Sequence, residues 1–174
     1  EESLRIQPQP AVGDPPERWN WDSPIMISPH DSDRLYFASQ RLWRSDNRGD
    51  SWKAISGDLT TNTNRYELPY MGRVWELGAM HDNGAMSLYS TLTSVTESPV
   101  AEGVLYTGSD DGLIHFSGDA GQTWTRAAAL PGVPERAFIN KVEVSQHEAN
   151  TVFALADAHK VGDFTPYLFR SDDN

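Results

Sequence analysis

An eight-residue pattern, S-x-D-x-G-x-[ST]-W, recurs along this chain and restricts its fold more than any other feature. The first copy covers residues 45–52 with the sequence SDNRGDSW, and the second covers residues 117–124 with the sequence SGDAGQTW. A third copy begins at Ser171 with the sequence SDDN. Because a turn pattern that returns at long intervals is typical of repeat architectures, we expect several copies of one structural unit.

Short candidate strands precede and follow each copy of the octapeptide. They are rich in β-branched and aromatic residues and are separated by polar turns such as Asp110-Asp111-Gly112. No long amphipathic pattern indicates a helix. The chain is therefore predicted to be all-β, a β-propeller fragment of about three four-stranded antiparallel blades. The candidate strands are 25–28, 35–38, 42–45 and 52–55 in the first unit, 92–95, 104–107, 113–116 and 124–126 in the second, and 141–144, 151–155 and 167–170 in the third.

The spacing of the octapeptides predicts how the chain is divided. The interval between the first two copies is longer than the next one, and the surplus falls within residues 57–87. Insertions between repeats often form loops on a binding face, so we expect a binding surface there. The predicted parts are a Pro-rich arm or linker at 1–18, a blade at 19–56, the insertion at 57–87, a blade at 88–127 and an incomplete blade at 138–174.

Each fixed position of the octapeptide has a structural role in a tight turn. Glycine supplies a backbone with positive φ, and Asp or Asn folds its side chain back onto nearby N–H groups. Ser and Thr hydroxyls make similar local bonds, and Trp covers the turn with a large apolar surface. These residues are therefore expected to be structural: Ser45, Asn47, Gly49, Ser51 and Trp52 in the first copy, Ser117, Asp119, Gly121, Thr123 and Trp124 in the second, and Ser171 and Asp173 in the third.

The net charge and the residue composition exclude several classes of partner and of site. A net charge of −11 repels a nucleic-acid backbone, and no apolar stretch is long enough to suggest a membrane helix, so we expect neither partner. The chain has no cysteine, and its five histidines show no metal-site spacing; no metal site is predicted. The acidic turns at 110–112 and 171–173 leave calcium open as a cofactor, although hairpin formation alone explains the first of them.

The octapeptide resembles the Asp-box, or bacterial neuraminidase repeat, of sialidases, sortilin-type receptors and xyloglucanase-like glycosidases. The second copy matches every fixed position, whereas the first has Asn47 in place of the box aspartate. Segments 19–30, 42–60, 106–112 and 166–171 also resemble large bacterial proteins of sortilin-like or glycosyl-hydrolase-like type. This resemblance implies an exported protein, periplasmic or extracellular, and an internal piece of about three blades.

The resemblance leaves two functions open, and a purely structural segment with no ligand of its own is a third possibility. Sortilin-like members imply a binding or scaffold role with a protein, peptide or glycan as ligand. Xyloglucanase-like members use two aspartates as acid and base, and Asp22 lies at a similar point of its blade to one of them. Asp22 is thus the candidate acid or base of a glycoside hydrolase, or else a turn residue that caps local N–H groups. The arginine triad and tyrosine nucleophile of sialidase-like members are not reconstructed here.

Aromatic and charged residues near the predicted loops are the ligand-binding candidates. Trp19 and Trp21 flank the segment that leads into the first blade, and Arg73, Trp75 and Glu76 lie in the insertion. The indole rings of the three tryptophans suit stacking on a sugar or a peptide side chain, although Trp75 would also serve to anchor its own loop. Because a partial propeller leaves two blade faces without neighbours, the expected partners are the remainder of its own propeller or a second copy.

Overall fold

A computed structural model describes residues 4–69, 72–75 and 88–173, and the regular secondary structure within them is almost entirely β-strand. Helical structure in these described ranges is limited to two short 3-10 turns, Arg65–Glu67 and His159–Val161. The predicted all-β class is confirmed. The strands are β1 (Ile25–Ile27), β2 (Leu35–Ala38), β3 (Leu42–Ser45), β4 (Lys53–Ala54), β5 (Leu92–Glu97), β6 (Leu105–Ser109), β7 (Ile114–Ser117), β8 (Thr125–Arg126), β9 (Phe138–Val144), β10 (Val152–Ala158) and β11 (Asp163–Ser171).

The strands form three antiparallel sheets, each following chain order. Blade one contains β1 to β4, blade two contains β5 to β8, and blade three contains β9 to β11. The strands of blade three are longer than the sequence predicts. The predicted strand begins only after Pro166, at Tyr167, whereas β11 begins at Asp163 and runs through Pro166. Proline is tolerated there because an edge strand has no neighbour on one side to receive the missing N–H.

The sheets pack face to face, with a separate apolar core between each pair. Between blades one and two, Tyr36 and Leu42 pack against Leu92 and Leu105, and all four side chains are fully buried. Between blades two and three the core is built from side chains of β6, β9 and β10, namely Tyr106, Ile139, Val142, Val144, Val152, Ala156 and Ala158. Burial of this apolar surface is what holds the blades side by side.

Blades two and three approach each other closely at Gly108. A Cβ atom at this position would lie 2.5 Å from Cγ2 of Ile139, so only glycine fits. Thr93 next to it donates through Oγ1 to the carbonyl of Ile139 at 2.6 Å, and the Val142 N–H donates to Ser94 Oγ at 2.9 Å. Polar and apolar contacts therefore fix the spacing of these two sheets together.

Blades one and two are also joined through a buried carboxylate, Glu97. It accepts hydrogen bonds from Ser28 Oγ at 2.6 Å, Tyr36 Oη at 3.2 Å and the Gly103 N–H at 3.0 Å. Buried charges require such partners. Burial first, and the charge of Glu97 second, raise the pKa of the Tyr36 hydroxyl, which therefore remains a donor.

The octapeptides form the turns between β3 and β4 and between β7 and β8. In blade two, Ser117 Oγ accepts from the Gly121 N–H at 2.9 Å and donates to Asp119 Oδ1 at 2.8 Å. Asp119 also accepts from the N–H and hydroxyl of Thr123, at 2.8 and 2.6 Å. In blade one, Asn47 replaces the aspartate. Its two contacts to Ser51 are both 2.9 Å, one from the Ser51 N–H to Oδ1 and one from Nδ2 to the Ser51 hydroxyl.

The N-terminal segment packs against the outer surface of blade one. The Trp52 indole N–H donates to the carbonyl of Ile6 at 2.6 Å, and Pro8 is fully buried. Trp124, the equivalent residue of blade two, instead donates to the carbonyl of Ile55 at 3.0 Å. The division of the chain into an arm, an insertion and blades with fixed boundaries remains a prediction.

Candidate functional site

Loops from all three blades lie at one end of the sheets. Because the strands alternate in direction, the β2–β3, β6–β7 and β10–β11 loops share this end with the segments that connect one blade to the next. The octapeptide turns lie at the opposite end. We call the first of these the loop end. The loop end is the candidate functional site, because rigid sheets commonly present their binding residues on such loops.

A cavity of about 610 Å³ opens at the loop end. Its walls come from segments 65–69, 88–89, 135–138 and 157–161, together with Asp110. The first two segments lie in the connection between blades one and two, the third precedes β9, and the fourth joins β10 to β11. A cavity of this size, with apolar walls and several charged side chains, is in the range of a small-ligand or side-chain site.

Asp110 is the most deeply buried charged group of this cavity, with 5% of its surface exposed. Its two oxygens accept from the Thr91 N–H and the Thr91 hydroxyl, each at 2.8 Å. Burial raises the pKa of Asp110 to about 6, and the bonds from Thr91 oppose that rise. Burial also raises the pKa of the neighbouring Tyr89. Near pH 6 the Asp110 carboxyl can hold or release a proton.

Asp111 joins the connection between β4 and β5 to blade two. One oxygen accepts from Ser109 Oγ at 2.6 Å, and the other accepts from the N–H and the hydroxyl of Thr61, at 2.8 and 2.7 Å. Among the described residues, no group of three or more His, Asp or Glu side chains is placed to hold a metal ion. The use of this turn for calcium remains an untested prediction.

Three cationic side chains, Arg65, Arg136 and Lys160, line the cavity from three different segments. The Lys160 Nζ lies 4.9 Å from the centre of the Phe138 ring, within the range of a cation–π contact. The carboxylate of Asp157 accepts from Asn140 Nδ2 at 2.6 Å. The cavity thus combines apolar walls with charges of both signs.

The candidates before blade one lie away from this cavity. Trp19 packs against Phe37, with ring centres 4.7 Å apart. Trp21 is 77% exposed, and Asp22 is exposed in a turn where its N–H donates to Asn20 Oδ1 at 3.1 Å. None of these three predicted residues lines the cavity.

Of the candidates in the predicted insertion, the structure describes Arg73 and Trp75. The Arg73 guanidinium lies 3.4 Å from the centre of the Trp75 ring, a cation–π contact within the loop itself. Glu76 lies outside the described residues. Neither Arg73 nor Trp75 is among the residues that line the cavity.

Most residues of the cavity were not predicted from the sequence. The sequence indicates Asp110 only as part of an acidic turn, and it gives no signal for Arg65, Tyr89, Arg136 or Lys160. They lie in separate loops with no common motif. Only the stacking of blades two and three brings them together, and the spacing of the octapeptides was the one available signal of that stacking.

No protein-family model matches this sequence, and no curated protein matches it. Among solved structures, the chain is similar to the crystal structure of an ancestral GH74 enzyme, with a TM-score of 0.56 and 18% identity, over 95% of this chain and 18% of the other. It is also similar to the GH74 xyloglucanase of Xanthomonas campestris, with a TM-score of 0.53 and 21% identity, over 84% of this chain and 20% of the other.

This chain therefore spans about a fifth of the length of the GH74 structures that it resembles. At such low identity the likeness concerns the fold. No helix among the described residues is long and apolar enough to cross a membrane. The architecture is an all-β stack of antiparallel sheets, consistent with a fragment of a propeller and similar to parts of GH74 enzymes.

Proposed function

We propose that this chain is a ligand-binding segment of an exported, sortilin-like Asp-box propeller protein. The observation that carries the proposal is the cavity of about 610 Å³ at the loop end, built from loops of blades two and three and from the insertion. The ligand is a protein, a peptide or a glycan. The structural partner is the remainder of the same propeller or a second copy of the chain.

Buried hydrogen bonds support this proposal because they hold the cavity walls in place before any ligand arrives. Thr61 of the insertion is bound by Asp111, and Thr91 at the start of β5 is bound by Asp110. Walls fixed in this way lose little conformational entropy when a ligand binds. The exposed positions of Trp21 and Asp22 provide no comparable enclosure.

Filling the cavity tests the proposal. Leu88 lines it and is 46% exposed, so Leu88→Trp should occupy the space without entering a core. Leu168→Trp is the matched control, because Leu168 is 67% exposed on β11 and does not line the cavity. Both variants and the parent chain would be screened on glycan and peptide arrays. We expect Leu88→Trp to weaken binding by about tenfold or more and Leu168→Trp to leave it unchanged. Equal binding by both variants would contradict a role for the cavity.

The second candidate is a segment of a glycoside hydrolase. Two observations favour it: the fold likeness to GH74 enzymes, one of them a xyloglucanase, and a cavity carboxyl whose pKa is raised to about 6, as suits a general acid. Xyloglucan hydrolysis by the longest available protein would be compared for the parent, Asp22→Asn and Asp110→Asn. Turnover that either substitution abolishes in a folded protein would replace the binding role with a catalytic one.

A further inference from the structure

We propose that two copies of this chain associate head to tail, with the outer face of blade three in each copy packed against the first two strands of blade one in the other. This pairing rests on the proposed function, which names a second copy as a structural partner. Each new interface repeats the contact that blades one and two already make within one copy.

Blade three exposes apolar side chains at positions that are buried in blade one. The β11 sequence LFRS corresponds to the β3 sequence LWRS, so Leu168 occupies the position of Leu42. Leu42 is fully buried against blade two, whereas Leu168 is 67% exposed. Leu155 lies opposite Leu168 as Ala38 lies opposite Leu42, and Leu155 is 41% exposed although Ala38 is fully buried. The outer face of blade three is therefore equivalent to a face that packs against a following blade.

Blade one exposes the matching surface on its other side. A Leu-Tyr pair begins both β2 and β6, and it aligns the first two strands of blades one and two. Ile25 and Ile27 of β1 then correspond to Val95 and Glu97 of β5. Val95 and Glu97 are buried, whereas Ile25 and Ile27 are 49% and 61% exposed. Blade one thus has a receiving face that the N-terminal segment leaves uncovered at these two isoleucines.

One pair of positions makes the two exposed faces specific for each other. Between blades one and two, the Tyr36 hydroxyl donates to the buried carboxylate of Glu97 at 3.2 Å. Phe153 corresponds to Tyr36, because each lies opposite the arginine of its LFRS or LWRS strand, and Ile27 corresponds to Glu97. In the proposed interface a ring without a hydroxyl therefore meets a side chain without a carboxylate, and no buried polar group lacks a partner there. A second copy of blade two at this place would bury Glu97 without its tyrosine, so blade one is the favoured partner.

The N-terminal segment supplies a strand to this interface. In blade one the outermost strand leads into Ile55, whose N–H donates to the carbonyl of Leu42 at 2.9 Å. Ile6 lies at the octapeptide of blade one as Ile55 lies at the octapeptide of blade two. Among the described residues blade three has three strands, and β11 has a neighbour on one side only. Residues 4–6 of the second copy would therefore pair with the free edge of β11, with the Ile6 N–H directed at the Leu168 carbonyl.

The number of blades favours a closed dimer. A head-to-tail interface gives a ring if the rotation closes and an open series if it does not. Three sheets in each copy give six in a dimer, which is within the range of about four to eight blades that closed propellers contain. In such a ring every outer face and every receiving face is covered.

Light scattering of the 174-residue chain over a dilution series would measure this association. We expect twice the mass of one chain, and Ile27→Glu and Leu155→Glu should each raise the dissociation constant of the dimer by at least about tenfold. Val100→Glu is the control, because Val100 is 47% exposed in the turn between β5 and β6 and lies on neither face. A monomer at every concentration, assemblies that keep growing with concentration, or an equal response of all three variants would overturn the proposal.

A rescue experiment separates a lost interface from a lost fold. Adding Phe153→Tyr to Ile27→Glu recreates at the new interface the pair that Tyr36 and Glu97 form between blades one and two. The double variant should recover at least about threefold of the lost affinity. Phe153→Tyr alone should not strengthen the dimer, since Ile27 offers its hydroxyl no acceptor. Absence of recovery in the double variant would overturn the matching of these two positions.

Disulfide trapping tests the strand register in a chain that has no cysteine of its own. Trp43 lies opposite Ala54 in blade one, and the equivalent pair is Phe169 of one copy with Arg5 of the other. Arg5→Cys combined with Phe169→Cys should therefore give linked dimers in oxidised glutathione, because directly opposed strand residues lie within disulfide range. Arg5→Cys combined with Arg170→Cys is the control, since neighbouring residues of a strand point to opposite faces. No linkage in the first variant, or equal linkage in both, would overturn the head-to-tail arrangement.

The dimer and the ligand-binding role can fail separately. The cavity is lined by residues of one copy, so Leu168→Trp remains a control for ligand binding. A monomeric chain that binds an array ligand and loses it in Leu88→Trp would overturn the dimer and leave the binding role in place. A dimer for which no ligand responds to Leu88→Trp would overturn the binding role and support the head-to-tail pairing.

Discussion

In blade two the indole N–H of Trp124 donates to the carbonyl of Ile55, at the end of the neighbouring blade. In blade one the indole N–H of Trp52 donates instead to the carbonyl of Ile6, in the N-terminal segment. The octapeptide glycines face the same two isoleucines, Ile55 in blade two and Ile6 in blade one. A Cβ on Gly121 would lie 2.8 Å from Cδ1 of Ile55, and a Cβ on Gly49 would lie 3.0 Å from Cβ of Ile6.

This comparison shows that the octapeptide does more than close a hairpin. In both blades the glycine of the octapeptide packs against an isoleucine from outside the blade, and the tryptophan donates a hydrogen bond to the carbonyl of that isoleucine. Ile55 directly follows β4, the outermost strand of blade one. Ile6 therefore stands, for blade one, where the end of a preceding blade's outermost strand would stand. The turn is a docking point between neighbouring elements.

The second difference between the two turns is chemical. Asn47 in blade one offers an amide where Asp119 in blade two offers a carboxylate, and each bonds the hydroxyl residue four positions later. The amide donates to the hydroxyl of Ser51, whereas the carboxylate accepts from the hydroxyl of Thr123. At this position of the octapeptide, only the blade-two turn therefore carries a charge that acid can remove.

The largest expected effect separates the two glycines. Gly121→Ala adds a Cβ at φ 86° against Ile55, including its backbone carbonyl at 3.1 Å, and should cost about 3 kcal/mol of unfolding free energy. Gly49→Ala, at φ 93°, meets only the side chain of Ile6 and should cost about 1.5 kcal/mol. Urea denaturation of both variants measures the difference. Equal costs would show that the N-terminal segment is held as firmly as a blade.

The tryptophans should show a smaller difference. Trp124→Phe removes the donor to Ile55 and should cost about 1 to 2 kcal/mol, because a partly buried carbonyl loses its partner. Trp52→Phe should cost less than about 1 kcal/mol, since the Ile6 carbonyl can turn to water. It should also speed proteolytic cleavage within residues 4–18. Unchanged cleavage would contradict the role assigned to the bond between Trp52 and Ile6.

The smallest effect concerns acid. Hydrogen bonds from Thr123 lower the pKa of Asp119 to about 2, below its ordinary value of 3.8. The stability that this carboxylate contributes is therefore fully present above about pH 4 and is lost as the pH falls toward 2. Asp119→Asn should flatten this part of the curve of urea midpoint against pH, and Asn47→Asp should add a matching limb.

The parent curve is the reference for both substitutions. If Asp119→Asn retains the acid limb in full, other carboxylates cause it and the assignment to Asp119 is wrong. The partners of the Asp119 carboxylate are an uncharged hydroxyl and an uncharged amide N–H. High salt should therefore reduce the contribution of Asp119 to stability less than it would weaken a surface ion pair.

The strands and their turns were predictable because their causes are local. A glycine with positive φ, an Asp or Asn that folds back and an alternation of apolar residues all act within a few positions of the chain. The extension of β11 through Pro166 was missed, because a proline is permitted only by the strand's place at a sheet edge. That place is a property of the assembled sheet.

The cavity was not predictable for the same reason. Thr61 meets Asp111, and Arg65, Asp110 and Lys160 share a wall, only after the blades stack. No spacing rule links residues in three separate loops. The long first interval between octapeptides predicts an insertion and a binding surface near it, but it cannot identify which side chains face that surface.

The close approach at Gly108 has a consequence for how such repeats can be exchanged. Ala38 occupies the corresponding position of blade one, two strand residues after the shared Leu-Tyr pair, and it packs against blade two without the restriction that Ile139 imposes on Gly108. A copy of blade one placed ahead of blade three would bring a methyl group against Ile139. Gene duplication can therefore multiply these units, but their order along the chain is not freely interchangeable.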